Sequence, residues 1–190
     1  MSILTTVSDF DLLATAANYI KHDLEDDFKG WNGSPFEWVL KLPPGSKGKL
    51  GKQLVYQWCA LKGLAVDKCP DSEADMLING HRVEVKFSTL WRIGIYKFQQ
   101  IRDQNYEYSI CLGISPSEAH CWVISKAILK EYVIGHLGQH TGSKGKDTAW
   151  FPVNPKAPPN WLLPFGGTLE QAFKVLRNLK HRRNQDAIEY

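Results

Sequence analysis

No apolar run in the 190-residue chain approaches the about 18 residues that a membrane-spanning helix needs. The opening residues also lack the basic-then-apolar layout of a secretory leader, so the expected location is cytoplasmic, with no membrane partner. Cysteine is scarce and unpatterned. Cys59, Cys69, Cys111 and Cys121 show no C-x-x-C spacing and each sits inside an apolar stretch, which argues for reduced core thiols over a zinc site or a disulfide framework. There is no internal repeat and no strong domain boundary. A strong charge of either sign is missing as well: 23 Lys and Arg against 20 Asp and Glu leave a net charge of +3. So mild a balance permits a polyanionic partner without demanding one.

What remains is an ordinary globular composition, 43% hydrophobic and 23% charged, in a length that suits one domain (1–190) with a sizeable core. Ser8 is placed to cap a helix from Asp9 to about Phe28, with Phe10, Leu13, Ala17, Ile20 and Leu24 on one stripe. Ser34-Pro35-Phe36-Glu37 matches a capping box with Pro at the first helical position, which gives Glu37 a structural use. Lys49 to Leu61 reads as an amphipathic helix on Leu50, Leu54, Trp58 and Leu61, stopped by Gly63. A strand follows at about Leu64–Cys69. Residues 90–98 either extend the sheet or form a loop over the functional site, and Gln99–Gln104 suggest a short helix. Tyr106–Ser115 and His120–Ile124 read as partnered strands. Ala127–Leu137 reads as a helix ended by Gly138, followed by a polar loop to Asp147. Residues 151–167, with five prolines and two glycines, carry no period. Thr168 and Gln171 form a second capping-box match, opening a last helix to about Arg183. This order implies an α/β domain with a mixed central sheet and flanking helices.

Residues 74–89 carry the chemistry. Asn79-Gly80 between two alternating runs is a strong signal for a hairpin with a two-residue type I′ turn. The register then sets Ile78 against His81, Leu77 against Arg82, Met76 against Val83 and Asp75 against Glu84. Met76, Ile78, Val83, Val85 and Phe87 share an apolar face, which must be the core side. Asp75, Glu84 and Lys86 share the other. Two carboxylates directly across a ladder repel, and a divalent cation removes the repulsion. A hard ion such as Mg²⁺ takes one or two carboxylate oxygens and keeps several waters. Asp75 and Glu84 would hold it, with the Val85 carbonyl as a further oxygen. Lys86 would lie beside it, placed to orient or deprotonate the attacking water or to stabilise phosphorane charge. Truncating either carboxylate should relieve the repulsion and raise metal-free stability by up to about 1 kcal/mol.

Asp75, the Glu84-Val85-Lys86 tripeptide and the following Ser88-Thr89 resemble the PD-(D/E)XK nuclease superfamily, in particular small type II restriction endonucleases. A literal Pro70-Asp71 also precedes the tripeptide, so Asp71 competes with Asp75 for the acidic role; the hairpin register favours Asp75. Ser34-Pro-Phe-Glu-Trp and Lys47-Gly-Lys-Leu-Gly-Lys-Gln-Leu-Val look like the N-terminal helical segment of such enzymes, and the resemblance covers about residues 34–126. It implies an αβββαβ core with helical additions at both ends. It further implies Mg²⁺-dependent cleavage of double-stranded DNA, with Mn²⁺ as a substitute, by a homodimer. Members often carry a helical Glu that reaches the metal; here Lys52 and Gln53 follow Gly51, so that acid is absent or is supplied by Glu37. A structure-specific repair or junction nuclease, and a non-catalytic DNA-binding subunit with a vestigial site, are the alternatives.

Candidate DNA contacts form three basic groups: Lys47 and Lys49; Lys144 and Lys146, with Gln139, His140 and Ser143 as base-edge donors and acceptors; and Lys174, Arg177, Lys180, Arg182 and Arg183. Gln99 is placed to hold a phosphate or support Glu84. Trp31, Trp91, Trp150 and Trp161 lie in or near loops, where an aromatic can stack on a base. His81 reads as an exposed turn residue.

Overall fold

Asn79 (φ 51°) and Gly80 (φ 81°) both take the left-handed conformation that a type I′ turn requires. Around that turn the computed structural model describes residues 8–138 and 148–179, without the side chains of 19–20 and 22–28. Gln139, His140, Ser143, Lys144, Lys146, Lys180, Arg182 and Arg183 lie outside the described residues. In chain order the elements are α1 (Asp9–Lys29), a 3₁₀ turn (Glu37–Lys41), α2 (Pro44–Leu61), β1 (Val66–Lys68), β2 (Met76–Ile78), β3 (His81–Thr89), β4 (Tyr96–Ile101), β5 (Tyr108–Ile114), β6 (Ala119–Ser125), α3 (Lys126–Tyr132), β7 (Ala149–Val153), a second 3₁₀ turn (Asn160–Phe165), β8 (Gly166–Thr168) and α4 (Leu169–Asn178). No helix among the described residues is long and apolar enough to cross a membrane.

The central sheet runs β1-β2-β3-β5-β6-β8, and β4 with β7 forms a separate two-stranded ribbon. Only the β3–β5 pairing is parallel, so the sheet is mixed, with helices flanking it. Met76 pairs with Val83, Leu77 with Arg82 and Ile78 with His81, as the turn chemistry dictates. The apolar hairpin face packs Met76, Ile78, Val83 and Val85 with Val55 and Cys59 of α2 and Ala172 and Leu176 of α4. The opposite face is also covered. Tyr96 and Phe98 of the ribbon, Phe151 and Leu129 pack on Cys111, Trp122 and Ile124. Glu84 and Lys86 therefore lie under a second layer instead of facing open water.

The observed elements depart from the sequence reading in identifiable ways. Gln99–Gln104 is no helix: Tyr96 and Phe98 point inward along β4, and a register shift between Phe98 and Ile101, with Gln100 at φ 55°, hides the strand period. β7 overlaps the start of the stretch read as without period: Ala149, Phe151 and Val153 are buried while Pro152 takes an exposed position on this edge strand. The α3 helix stops at Tyr132, short of Gly138. Helix α2 starts earlier, with Pro44 in its first turn, and buries Gly51, Val55 and Cys59, leaving Leu61 exposed. Ser8 caps α1 by accepting the Asp11 N–H, but Phe10 and Leu13 stay exposed at 77% and 70%. The Thr168–Gln171 capping box forms in full; the Ser34–Glu37 one does not, since Glu37 accepts the Gly33 N–H and Ser34 Oγ donates to the Pro116 carbonyl. His81 is no exposed turn residue: it approaches Glu107 at 3.3 Å and sits edge-on to Tyr108.

Candidate active site

The β2 ladder stops at Met76, and this brings the site together. The Asp75 N–H donates to the Val83 carbonyl (2.9 Å). Asp75 Oδ2 then accepts the N–H of Val85 (2.8 Å), so a side chain makes the rung that the next backbone residue would have made. Because N–H and C=O of one strand residue point the same way, the Val85 carbonyl faces this same edge. From α2, Lys52 pairs with Asp75 Oδ1. Next along β3, Glu84 Oε1 accepts from Lys86 Nζ at 2.7 Å, and the same ammonium donates to the Gln100 carbonyl at 2.7 Å. The irregular turn of β4 at Gln100 is what aims that carbonyl inward.

These groups are half-buried. Asp75, Glu84 and Lys86 side chains keep only 9%, 13% and 12% of their exposure, against 48% for Lys52. Burial pushes the Glu84 carboxyl up from its ordinary value; Lys86 pulls it back, and the negative charge of Asp75 pushes it up further. A buried anion in that position calls for more positive charge nearby.

The charge lies in the adjoining cleft. It has a volume of about 650 Å³ and is walled by the start of α2, by β3 from Glu84 to Thr89, and by Trp91, Lys97, Gln99 and Gln100. Lys47, Lys49, Lys52, Lys86 and Lys97 line it, with Glu84 as the acid. A second cavity of about 490 Å³ lies beyond Asp75 and shares Lys52 with the first.

Of the residues read from sequence, the structure joins Asp75 to the Val85 N–H and Glu84 to Lys86, and places Glu84, Val85, Lys86, Lys47, Lys49 and Gln99 on one cleft, with Asp75 on the neighbouring cavity. Asp71 is taken elsewhere. Its carboxylate pairs with the Arg82 guanidinium and accepts the Glu73 N–H, and the Arg82 hydrogen bond holds it below the usual carboxylate range. Glu37 is tied to Gly33 and is not among the cleft residues. Lys174 pairs with Glu170 on α4, and neither it nor Arg177 lines the cleft. Trp31 is buried, and Trp161 stacks on Tyr132 at 5.1 Å.

Three participants escaped the sequence reading: Lys52, Lys97 and the Gln100 carbonyl. Lys49 and Lys52 are three apart on α2 and so share a face, which is the signal that could have found Lys52. The Gln100 carbonyl depends on one backbone angle and leaves no side-chain signature.

Two carboxylates and a backbone carbonyl at one strand edge fit a hard divalent cation that keeps part of its water shell. Among the described residues, no group of three or more His, Cys, Asp and Glu side chains could enclose a metal, so a closed zinc-type cage is not what this donor set suits.

No family model and no curated protein matches the chain. Among solved structures it is similar to a bacterial homing endonuclease, I-Ssp6803I, at 15% identity and a TM-score of 0.47, over 71% of this chain and 92% of that one.

Proposed function

We propose that this protein is a divalent-metal-dependent endonuclease that hydrolyses phosphodiester bonds in double-stranded DNA, of the type II restriction kind that its motif resembles. The reading rests chiefly on one observation: the half-buried Glu84 and Lys86 pair in a cleft that four further lysines line, and one of these, Lys52, reaches out of it to the half-buried Asp75. Asp75, Glu84 and the Val85 carbonyl would hold Mg²⁺, or Mn²⁺ in its place. Such an ion supplies charge to polarise the phosphodiester and to lower the pKa of the attacking water.

The chain's own residues do the rest. An ammonium has three donors, and Lys86 uses two of them on Glu84 and Gln100. That leaves one for a phosphate oxygen and fixes its direction in advance, which is how preorganised donors stabilise developing charge. Held between two acceptors, Lys86 serves as a donor in place of a proton acceptor. Lys47, Lys49 and Lys97 neutralise neighbouring phosphates and set the duplex in position without reading its sequence. Cutting both strands at a symmetric sequence is most simply done by two related subunits; the exposed Phe10 and Leu13 of α1 support such a pairing.

Incubation of supercoiled plasmid with the protein in Mg²⁺ should give nicked and linear DNA. EDTA should abolish the cutting, and excess Mg²⁺ or Mn²⁺ should restore it. Ca²⁺ should support binding better than cutting, because its looser coordination positions the reacting groups poorly. Cutting in EDTA, or none in either active metal, would overturn the proposal.

A further inference from the structure

The turn between β3 and β4 exposes two large apolar side chains, Trp91 on the wall of the cleft and Ile93 two residues beyond it, outside the cleft lining. Trp91 keeps 46% of its exposure and Ile93 68%. The turn that carries them is pinned at its base. The Trp91 N–H donates to the Ile95 carbonyl (2.9 Å), the Gly94 N–H to the Trp91 carbonyl (2.8 Å), and the Leu90 N–H to the Ile114 carbonyl on β5 (2.8 Å). Ser88 Oγ accepts the Lys97 N–H at 3.0 Å, tying β4 back to β3 just below. This is a rigid projection with an apolar tip.

Its surroundings specify the occupant. Trp91 lines the same cleft as Glu84 and the five lysines. The Lys97 ammonium stands 3.7 Å from the centre of the Trp91 ring, so a cation is fixed to the aromatic surface. Exposed apolar groups beside fixed cations complement a molecule with apolar flat surfaces and regularly spaced anions, which describes stacked bases on a phosphate backbone. A protein or lipid partner would explain the apolar tip but not the five lysines that line the cleft beside it with Glu84.

We infer that the Trp91–Ile93 turn is a wedge that enters a base step of duplex DNA and unstacks it while Lys97 holds the adjoining phosphate. The inference rests on the nuclease reading of the neighbouring site and adds to it a mode of substrate engagement. Apolar wedges of this kind distort a duplex at the expense of stacking, and the expense is least where pairing is already broken. Trp91 lies five residues beyond Lys86. At roughly 3.3 Å per residue in extended backbone this is at most about 16 Å, which puts the wedge within about five base-pair steps of about 3.4 Å from the bond to be cut.

The test compares the affinity of the full chain for two labelled 20-base-pair duplexes, one fully paired and one with a central mismatch, by fluorescence anisotropy at low salt in EDTA. The wild type should bind the mismatched duplex about ten-fold more tightly. Trp91→Ala and Ile93→Ala should each bring that ratio close to one. Both residues are exposed, so neither change opens the core, and Ile93→Ala also leaves the Lys97–Trp91 contact in place. Lys49→Ala should weaken both duplexes alike and keep the ratio. A wild-type ratio of one with measurable binding, or a ratio that survives both substitutions, would overturn the wedge. Failure to bind either duplex, both in EDTA and with Ca²⁺ in its place, would instead overturn the nuclease reading beneath it.

Discussion

Glu84→Gln should reduce plasmid cutting by about three orders of magnitude, since a metal centre supplies several kcal/mol of charge stabilisation and each tenfold in rate is about 1.4 kcal/mol. Glutamine is nearly isosteric and keeps an oxygen for the Lys86 ammonium, so the fold should melt close to the wild-type temperature. Asp75→Asn should lose as much activity. Its stability is a different matter. Sequence reasoning alone expects relief of repulsion when either carboxylate is removed. The structure reverses that expectation for Asp75, whose two oxygens serve the Val85 N–H and Lys52. Asp75→Ala should therefore destabilise the protein, by about 1–3 kcal/mol if the Val85 N–H is left without a partner. Asp75→Asn keeps an acceptor for it and separates lost chemistry from lost structure. Asp71→Ala is the control. Its carboxylate belongs to Arg82, so cutting should stay near the wild-type level. Loss of cutting in Asp71→Ala together with normal cutting by Asp75→Asn would move the acidic arm of the site to Pro70-Asp71.

Gly51→Ala should damage both stability and activity. A Cβ at Gly51 would lie 2.3 Å from Phe87 Cβ and 2.7 Å from Phe87 Cγ. The Phe87 Cβ is fixed to the β3 backbone, so no rotamer change removes the contact and α2 must move by about an ångström. Overpacking of this kind costs about 1–3 kcal/mol. The same displacement carries Lys47, Lys49 and Lys52 away from Glu84 and Lys86, which lie on the strand that α2 is pushed from. A misplacement of about 1 Å can cost a hundredfold in rate. Thermal melts and cutting rates on the same preparation check both halves. Unchanged activity at a lowered melting temperature would show that the α2 lysines are not held in register with the carboxylates.

The parts of the site legible in the sequence are those fixed by local rules. Asn79-Gly80 demands one turn type, and that turn fixes the pairing of Ile78 with His81, Leu77 with Arg82 and Met76 with Val83; Asp75 follows directly, where the ladder ends and its side chain takes the Val85 N–H. The capping box at Thr168 is equally local and forms as written. What escaped depends on tertiary context. The sequence reading took Lys52 for a missing acid, because only the seating of Gly51 on Phe87 shows that its side chain reaches Asp75. β4 was hidden by its own irregularity at Gln100, the feature that supplies a backbone acceptor to Lys86. β7 was hidden by a proline and β8 by a Gly-Gly-Thr sequence with no side-chain pattern. Residues 90–98 were open to a strand or a covering loop, but the pairing of β4 with β7 was not legible, and with it the half-burial of Glu84 and Lys86.

The metal-centre assignment is tested most directly by titrating Mn²⁺ into the protein in the absence of DNA and following the free-ion signal by electron paramagnetic resonance. The wild type should remove free Mn²⁺ from solution. Asp75→Asn and Glu84→Gln should each weaken that binding by more than the ~10–100-fold typical of losing an outer-shell partner, while Asp71→Ala should bind as the wild type does. Equal Mn²⁺ affinity in the wild type and both carboxylate variants would contradict the assignment of Asp75 and Glu84 as the metal centre.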